Sequence, residues 1–85
     1  MTIKRLEAGP RMSQIVVHGN TAYLAGQIAD DPGPSAADQT KQVLAKIDRL
    51  LASVGSDKTK VLYAIIWLSD MSYFNDMNGV WDAWA

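Results

Sequence analysis

The residues best suited to chemistry follow the second of two apolar runs near the start of the chain. After Leu24 come two small residues and a polar amide, Ala25, Gly26 and Gln27. Small residues let another group approach the backbone closely, and an amide can both donate and accept hydrogen bonds. The pattern indicates one wall of a ligand pocket. A β-bulge or a tight packing contact is the alternative, because either uses the same residue types without a ligand.

A second amide lies within an apolar stripe near the other end of the chain. Asn78 is four residues after Phe74 and three before Trp81, on the apolar side of a predicted helix. A buried amide must find hydrogen-bond partners. Asn78 is therefore expected either to form a structural bond to backbone or to contact a ligand.

Cysteine and histidine usage excludes several other chemistries. The chain has no cysteine, which rules out disulfides, thiolate metal sites and a cysteine nucleophile in this segment. The single histidine, His18, stands beside a predicted turn, where we expect an exposed side chain, and no partner has metal-ligand spacing. We predict no metal site.

Composition predicts one soluble domain over residues 1–85. Of the 85 residues 48% are hydrophobic, the formal net charge is -1, and the pI is about 5.6. Lysine and arginine do not cluster, which argues against a nucleic-acid partner. No apolar run approaches the ~20 residues that span a bilayer, and the first residues have no apolar signal core. We therefore expect a cytoplasmic protein without a membrane partner.

The first elements are predicted to be strands. Two apolar runs within residues 16–28 flank Gly19 and Asn20, which accept positive φ at low steric cost, so a tight β-hairpin is expected. Residues 2–8 alternate loosely and predict an earlier strand that ends at Gly9.

Two amphipathic helices are predicted. Ser35 and Asp38 form a capping signal, Gly55 supplies a stop, and the charged residues between them should form a solvated face rather than a site. The apolar positions of this first helix are Val43, Leu44, Ile47, Leu50, Leu51 and Val54. The second helix should begin near Asp70 or Ser72, and its apolar side carries Phe74, Met77, Trp81 and Trp84.

Residues 61–68 predict a strand that needs cover on both faces, because apolar residues do not alternate with polar ones. The first helix can cover one face. A partner subunit or a longer version of this chain must cover the other. The sequence also ends in mid-helix, so we expect a truncated domain with further strands after the second helix.

In order and spacing, these features resemble the RidA family, also called the YjgF family. The resemblance covers essentially all 85 residues and rests on Gly9-Pro10, Ser13-Gln14, Ala25-Gly26-Gln27, Gln39, Gln42, residues 61–68, Asp70-Met71, Phe74, Asn78 and Trp81. It implies an α+β, chorismate-mutase-like fold, in which a mixed sheet carries two helices on one face and the C-terminal strands are missing. It also implies a homotrimer with ligand clefts between subunits.

The resemblance further implies hydrolysis of reactive enamines and imines, such as 2-aminoacrylate, to a 2-keto acid and ammonia without a bound cofactor. Met12 stands where many members have a tyrosine, Ala25 replaces a serine, and Trp81 takes the place of a tyrosine. The implied cleft residues are Met12, Ala25, Gly26, Gln27, Asn78 and Trp81. The family's carboxylate-binding arginine and water-orienting glutamate belong to strands that this chain lacks, so no catalytic residue is assigned.

Two hypotheses for the function remain open. The first is an enamine/imine deaminase, of which this segment alone is inactive; among its arginines only Arg11 is placed to approach the cleft. The second is a non-catalytic trimeric protein of the same fold that binds a small carboxylate or amine metabolite, in keeping with Met12 and Ala25. A ribonuclease or translation-inhibitor role fits poorly with the pI and the lack of a basic patch.

Overall fold

The computed structural model describes residues 2–31, 33 and 35–85, and its first half is an antiparallel sheet. Strands β1 (Ile3–Ala8), β2 (Ser13–His18) and β3 (Thr21–Leu24) lie in that order. His18 pairs with Thr21 across a two-residue turn in which Gly19 has a φ of 63°. The predicted first strand and hairpin are confirmed, although only the glycine of the turn uses positive φ.

Helix α1 (Ala36–Ser53) begins and ends where its capping residues predict. The Ser35 hydroxyl accepts a hydrogen bond from the Asp38 backbone N–H at 3.2 Å. After the helix, Gly55 has a φ of 73°, and the Ser56 N–H donates to the Leu51 carbonyl at 2.9 Å. The buried apolar residues are Ile15, Leu44, Leu50, Leu51 and Met77, so α1 supplies most of the core.

The polar face of α1 is largely exposed to solvent, as predicted, and several of its side chains also bind neighbouring elements. Arg49 Nη1 lies 3.0 and 3.1 Å from the two carboxylate oxygens of Glu7 in β1. Lys46 Nζ donates to the Ile28 carbonyl at 2.8 Å and pairs with Asp30 at 2.6 Å. Periodicity identifies a polar face but cannot identify the elements that pass over it.

Helix α2 (Phe74–Trp84) follows a short 3-10 turn, Met71–Tyr73. Asp70 caps this turn by accepting the Ser72 N–H at 2.8 Å, as predicted for one of its two candidate caps. Met77 is buried and Trp81 half-buried, but Phe74 is 41% exposed, so its predicted burial is wrong. Phe74 is the first residue of α2 and lies outside the part of the apolar stripe that is buried.

The end of α2 is fastened to α1 and to the loop between them. Trp84 is half-buried, and its Nε1 donates to both carboxylate oxygens of Asp48 in α1 at 3.1 Å. Lys58 Nζ lies 5.4 Å from the centroid of the Trp84 ring, within the range of a cation–π contact. Through its indole N–H and the face of its ring, Trp84 therefore connects α2 to α1 and to the loop between the two helices.

Residues 61–68 do not form a strand of the described sheet, so this prediction is wrong. The Val61 N–H bonds back to Lys58, and within the described chain residues 62–68 make no backbone hydrogen bond. Leu62 is 93% and Trp67 87% exposed. A strand exists only beside a partner that hydrogen-bonds to it. The apolar pattern identifies a segment suited to a sheet, but the described residues hold no such partner, and their sheet is antiparallel rather than mixed.

Replacement of Leu50 by alanine tests the core. Leu50 is fully buried, so we expect Leu50→Ala to lower the free energy of unfolding by about 2–5 kcal/mol. The exposed Leu62→Ala should change it by less than about 0.5 kcal/mol. Urea unfolding of both variants, followed by circular dichroism, gives the comparison. Equal effects would contradict the assignment of the core to α1.

The Asp70 cap predicts a loss of stability in acid. Hydrogen bonds from the Ser72 backbone and then its hydroxyl lower the pKa of Asp70 below 3.8. A lowered pKa in the folded state stabilises the fold above the unfolded-state value, and this contribution disappears as pH falls below about 4. In Asp70→Asn the amide oxygen can still cap without titrating. The unfolding temperature of the wild type should therefore fall relative to that of the variant between pH 5 and 2, in thermal scans at constant ionic strength.

Candidate functional site

An open groove of about 1620 Å³ contains the candidate ligand-binding residues. It is lined by β3 and its continuation to Ile28, by the apolar side of α1, by residues 61–69 and by Met77, Trp81 and Trp84 of α2. Lys60 is the one charged residue among the described lining residues. Apolar walls with few polar groups are typical of small-molecule sites.

The amide of Gln27 is the best-defined polar group of this groove. Its Nε2 donates to Gln14 Oε1 at 3.0 Å and to the Ala25 carbonyl at 2.9 Å. An amide nitrogen has two protons, so both are used. Gln27 Oε1 has no hydrogen-bond partner among the described residues, and Gln27 lines the groove whereas Gln14 does not. The group offered to a ligand is therefore an acceptor.

Gly26 leaves open space beside this amide. A Cβ built on Gly26 would meet no described atom within 4 Å, and its φ lies outside the left-handed region. The chain thus makes no tight packing contact there, and that alternative for residues 25–27 is wrong within the described structure. The Ala25 N–H donates to the Gln14 carbonyl at 3.0 Å and continues the ladder past β3.

The structure brings together four of the cleft residues implied by the resemblance, Ala25, Gly26, Gln27 and Trp81, along one groove. Met12, 50% exposed, and Asn78, half-buried, do not line it. Asn78 Nδ2 donates to Asp82 Oδ2 one helical turn later at 3.3 Å. Its partner among the described residues is therefore a carboxylate of its own helix rather than backbone.

No described arginine lines the groove, so none is placed to bind a ligand carboxylate there. Arg49 is held by Glu7, and Arg11 is exposed and does not line the groove. Lys60, at the end of the turn before residues 61–68, is the remaining cation on the lining. A ligand carboxylate would meet a single ammonium here rather than a bidentate guanidinium.

Sequence reasoning did not assign Gln14 to the site, although the signal was present. In a hairpin with a two-residue turn at Gly19 and Asn20, residue 14 faces residue 25. Residue 27 lies two positions beyond residue 25 on the same face, within diagonal reach of a long side chain. Register counting from the predicted turn would have paired the two glutamines.

These features define an α+β domain in which a hairpin and two helices line one open groove. A family model described as "Endoribonuclease L-PSP" matches residues 2–85. Relatives with high identity over the whole chain are called RutC family proteins. The chain belongs to this family, of which YjgF and RutC are further names, and the predicted family and α+β fold are confirmed.

Several relatives and solved structures show the extent of the similarity. The chain is 44% identical over 86 residues to a RutC family protein of Haemophilus influenzae, covering all of this chain and 74% of that protein. A YjgF-family crystal structure from Neisseria meningitidis aligns with a TM-score of 0.96 at 47% identity, covering 100% of this chain and 71% of the other. A Pseudomonas aeruginosa structure gives 0.95 at 47% identity, with 98% and 72% covered.

One relative has a name that specifies a reaction. A Bos taurus protein called 2-iminobutanoate/2-iminopropanoate deaminase is 33% identical over 75 residues, which cover 81% of this chain and 55% of that protein.

Among the described residues no helix has the length and apolar character needed to cross a bilayer.

The Gln14–Gln27 pair can be tested by removing the acceptor. In Gln14→Leu, the Gln27 side-chain amide loses one of its two partners, so its protons should exchange faster and shift in a ¹⁵N-resolved NMR spectrum. Asn75→Leu is the control, because Asn75 is exposed on α2 and does not line the groove. Unchanged Gln27 resonances in Gln14→Leu would show that Gln14 does not hold the amide.

Proposed function

We propose that the chain is part of an enamine/imine deaminase, in which Gln27 recognises the substrate nitrogen. The observation that carries the proposal is the free Oε1 of an amide whose two N–H groups are already bonded to Gln14 and Ala25. An imine or enamine nitrogen carries an N–H, whereas the 2-keto acid product has an oxygen there. An acceptor therefore favours substrate over product.

An enamine such as 2-aminoacrylate first gains a proton on its terminal carbon and loses one from nitrogen, which gives the imine. Water then adds to the carbon of the C=N bond, both of its protons pass to the nitrogen, and ammonia leaves as the C–N bond breaks and the C=O bond forms. Positive charge on the nitrogen strengthens its hydrogen bond to Gln27 Oε1, so this bond can be tighter in the transition state than in the ground state. Gln27 acts by binding and orientation, since an amide is not a base at neutral pH. The resemblance assigns carboxylate binding and water activation to residues outside this segment, in clefts between the subunits of a homotrimer.

A second candidate is a non-catalytic module that binds a small amine or carboxylate metabolite. The described groove lining has no arginine or carboxylate, and Lys60 is its one charge, which favours binding over hydrolysis by this segment. We do not propose the ribonuclease activity that the family description names. Phosphate binding relies on several cations, and the net charge is -1.

The test measures ammonia and 2-keto acid release from 2-aminoacrylate, generated in situ by a pyridoxal-phosphate lyase. The protein at the length that its source produces should accelerate release over buffer. Gln27→Leu should slow it by roughly 10- to 100-fold, the range for one hydrogen bond to a charged group. Asn75→Ala, on the exposed side of α2, is the control and should keep the wild-type rate.

The alternative outcomes separate the two candidates. Saturable binding of 2-oxobutanoate without faster ammonia release would contradict the deaminase and support the binding module. Equal rates for Gln27→Leu and the wild type would show that the substrate nitrogen is recognised elsewhere.

A further inference from the structure

The segment that begins beside Gln27 is not held by backbone pairing or by the core. The Ala25 N–H bonds to Gln14, but residues 26–31 form no backbone–backbone hydrogen bond within the described chain. None of these six residues is buried, and Ile28, the large apolar one, is 76% exposed. Such a segment is free to move unless side chains from elsewhere bind it.

Two side chains of α1, one helical turn apart, make these contacts. Lys46 Nζ donates to the Ile28 carbonyl at 2.8 Å and to Asp30 Oδ1 at 2.6 Å. Gln42 Oε1 accepts from the Asp31 N–H at 3.1 Å, and its Nε2 donates to the Asp31 carbonyl at 3.3 Å. Residues i and i+4 lie on one face of a helix, so both side chains reach the same passing segment.

The Lys46 contact adjoins the candidate site. The Ile28 carbonyl belongs to the residue directly after Gln27, whereas Gln42 binds the loop further along. The Lys46 side chain is 24% exposed, but that of Asp30 is 85% exposed. An exposed ion pair contributes little, so the carbonyl is the partner that ties the chain to α1.

Helix α1 is a firm anchor because its other face belongs to the core. Leu44, two residues before Lys46, is 5% exposed, and Leu50 is fully buried. Ser35 caps the start of the helix. A close-packed interior resists displacement, so the backbone at Lys46 has a fixed position relative to the core.

We propose that Lys46 is a positioning residue for Gln27. It holds the backbone directly after Gln27 through the Ile28 carbonyl, while Gln14 holds the side-chain amide. Together the two contacts fix the Gln27 Oε1 that a substrate nitrogen would meet. Lys46 does not line the groove, so it acts through Gln27 rather than on the ligand. This inference rests on the proposed role of Gln27.

The first test replaces the ammonium by a group that cannot donate. In Lys46→Met the Ile28 carbonyl loses its partner, so the protein at the length that its source produces should release ammonia from 2-aminoacrylate more slowly. The loss should lie between roughly threefold and the roughly 10- to 100-fold expected for Gln27→Leu. Lys46→Arg keeps a donor and should restore most of the rate. Lys41→Met is the matched control, because Lys41 pairs with Asp38 of its own helix.

A double variant shows whether Lys46 acts through Gln27. If it does, Lys46→Met adds no further loss to Gln27→Leu, because the group that it positions is already absent. A full additional loss would show that Lys46 supports the protein by another route, which would overturn the proposal. A wild-type rate in Lys46→Met would also overturn it.

Asp30→Asn separates the two partners of the ammonium. This variant removes the carboxylate charge but leaves Lys46 able to bond to the Ile28 carbonyl, so the rate should stay within about twofold of the wild type. A loss as large as that of Lys46→Met would show that the exposed ion pair holds the segment, and it would overturn positioning through the carbonyl.

Two NMR readouts do not depend on deaminase activity. In Lys46→Met the side-chain amide signals of Gln27 should shift, and the ¹⁵N order parameters of residues 27–29 should fall from about 0.85 toward about 0.6. Lys41→Met should change neither. Unchanged Gln27 signals in Lys46→Met would overturn the proposal whatever the rate. Shifted signals in a protein without deaminase activity would support positioning by Lys46 and contradict the proposed function alone.

Discussion

The register of the β2–β3 hairpin is the constraint on which the candidate site depends. A two-residue turn with Gly19 at positive φ pairs His18 with Thr21 and so places Gln14 opposite residue 25. A slip of one residue would turn Gln14 to the other face of the sheet. The Gln27 amide would then lose its partner and the fixed direction of its oxygen. A backbone turn that begins eight residues before Gln27 thus decides which of its atoms a ligand meets.

Helix α1 holds the rest of the structure around that hairpin. Its apolar side supplies Leu44, Leu50 and Leu51 to the core. Its polar side forms hydrogen bonds to three other parts of the chain. Arg49 binds β1, Gln42 and Lys46 bind the loop after β3, and Asp48 binds α2. These polar contacts are exposed, so each adds little to stability. Their effect is on the position of the backbone. Lys46 binds the Ile28 carbonyl and Gln42 binds the Asp31 backbone, so the two side chains fix the path of the chain after Gln27.

Sequence patterns predicted the elements whose causes are local. The hairpin follows from Gly19 and Asn20, α1 from Ser35, Gly55 and its apolar period, and the turn before α2 from Asp70. The strand at residues 61–68 and the burial of Phe74 failed because both depend on neighbours that no local pattern encodes. The dependence on distant neighbours also explains why only some of the implied cleft residues line the groove. Gln27 and Ala25 lie near each other in the chain, whereas Met12 and Asn78 would reach the cleft only through assembly, which the resemblance alone implies.

The electrostatic character of the groove gives the Gln27 oxygen its significance. In water an amide oxygen offers a ligand little, because solvent is an equally good donor. In an apolar groove with one ammonium group, an N–H that binds Oε1 faces weaker competition, and the bond strengthens further when the nitrogen becomes charged. The groove is open to solvent, so its apolar walls weaken the competition of water for Gln27 Oε1 without removing it.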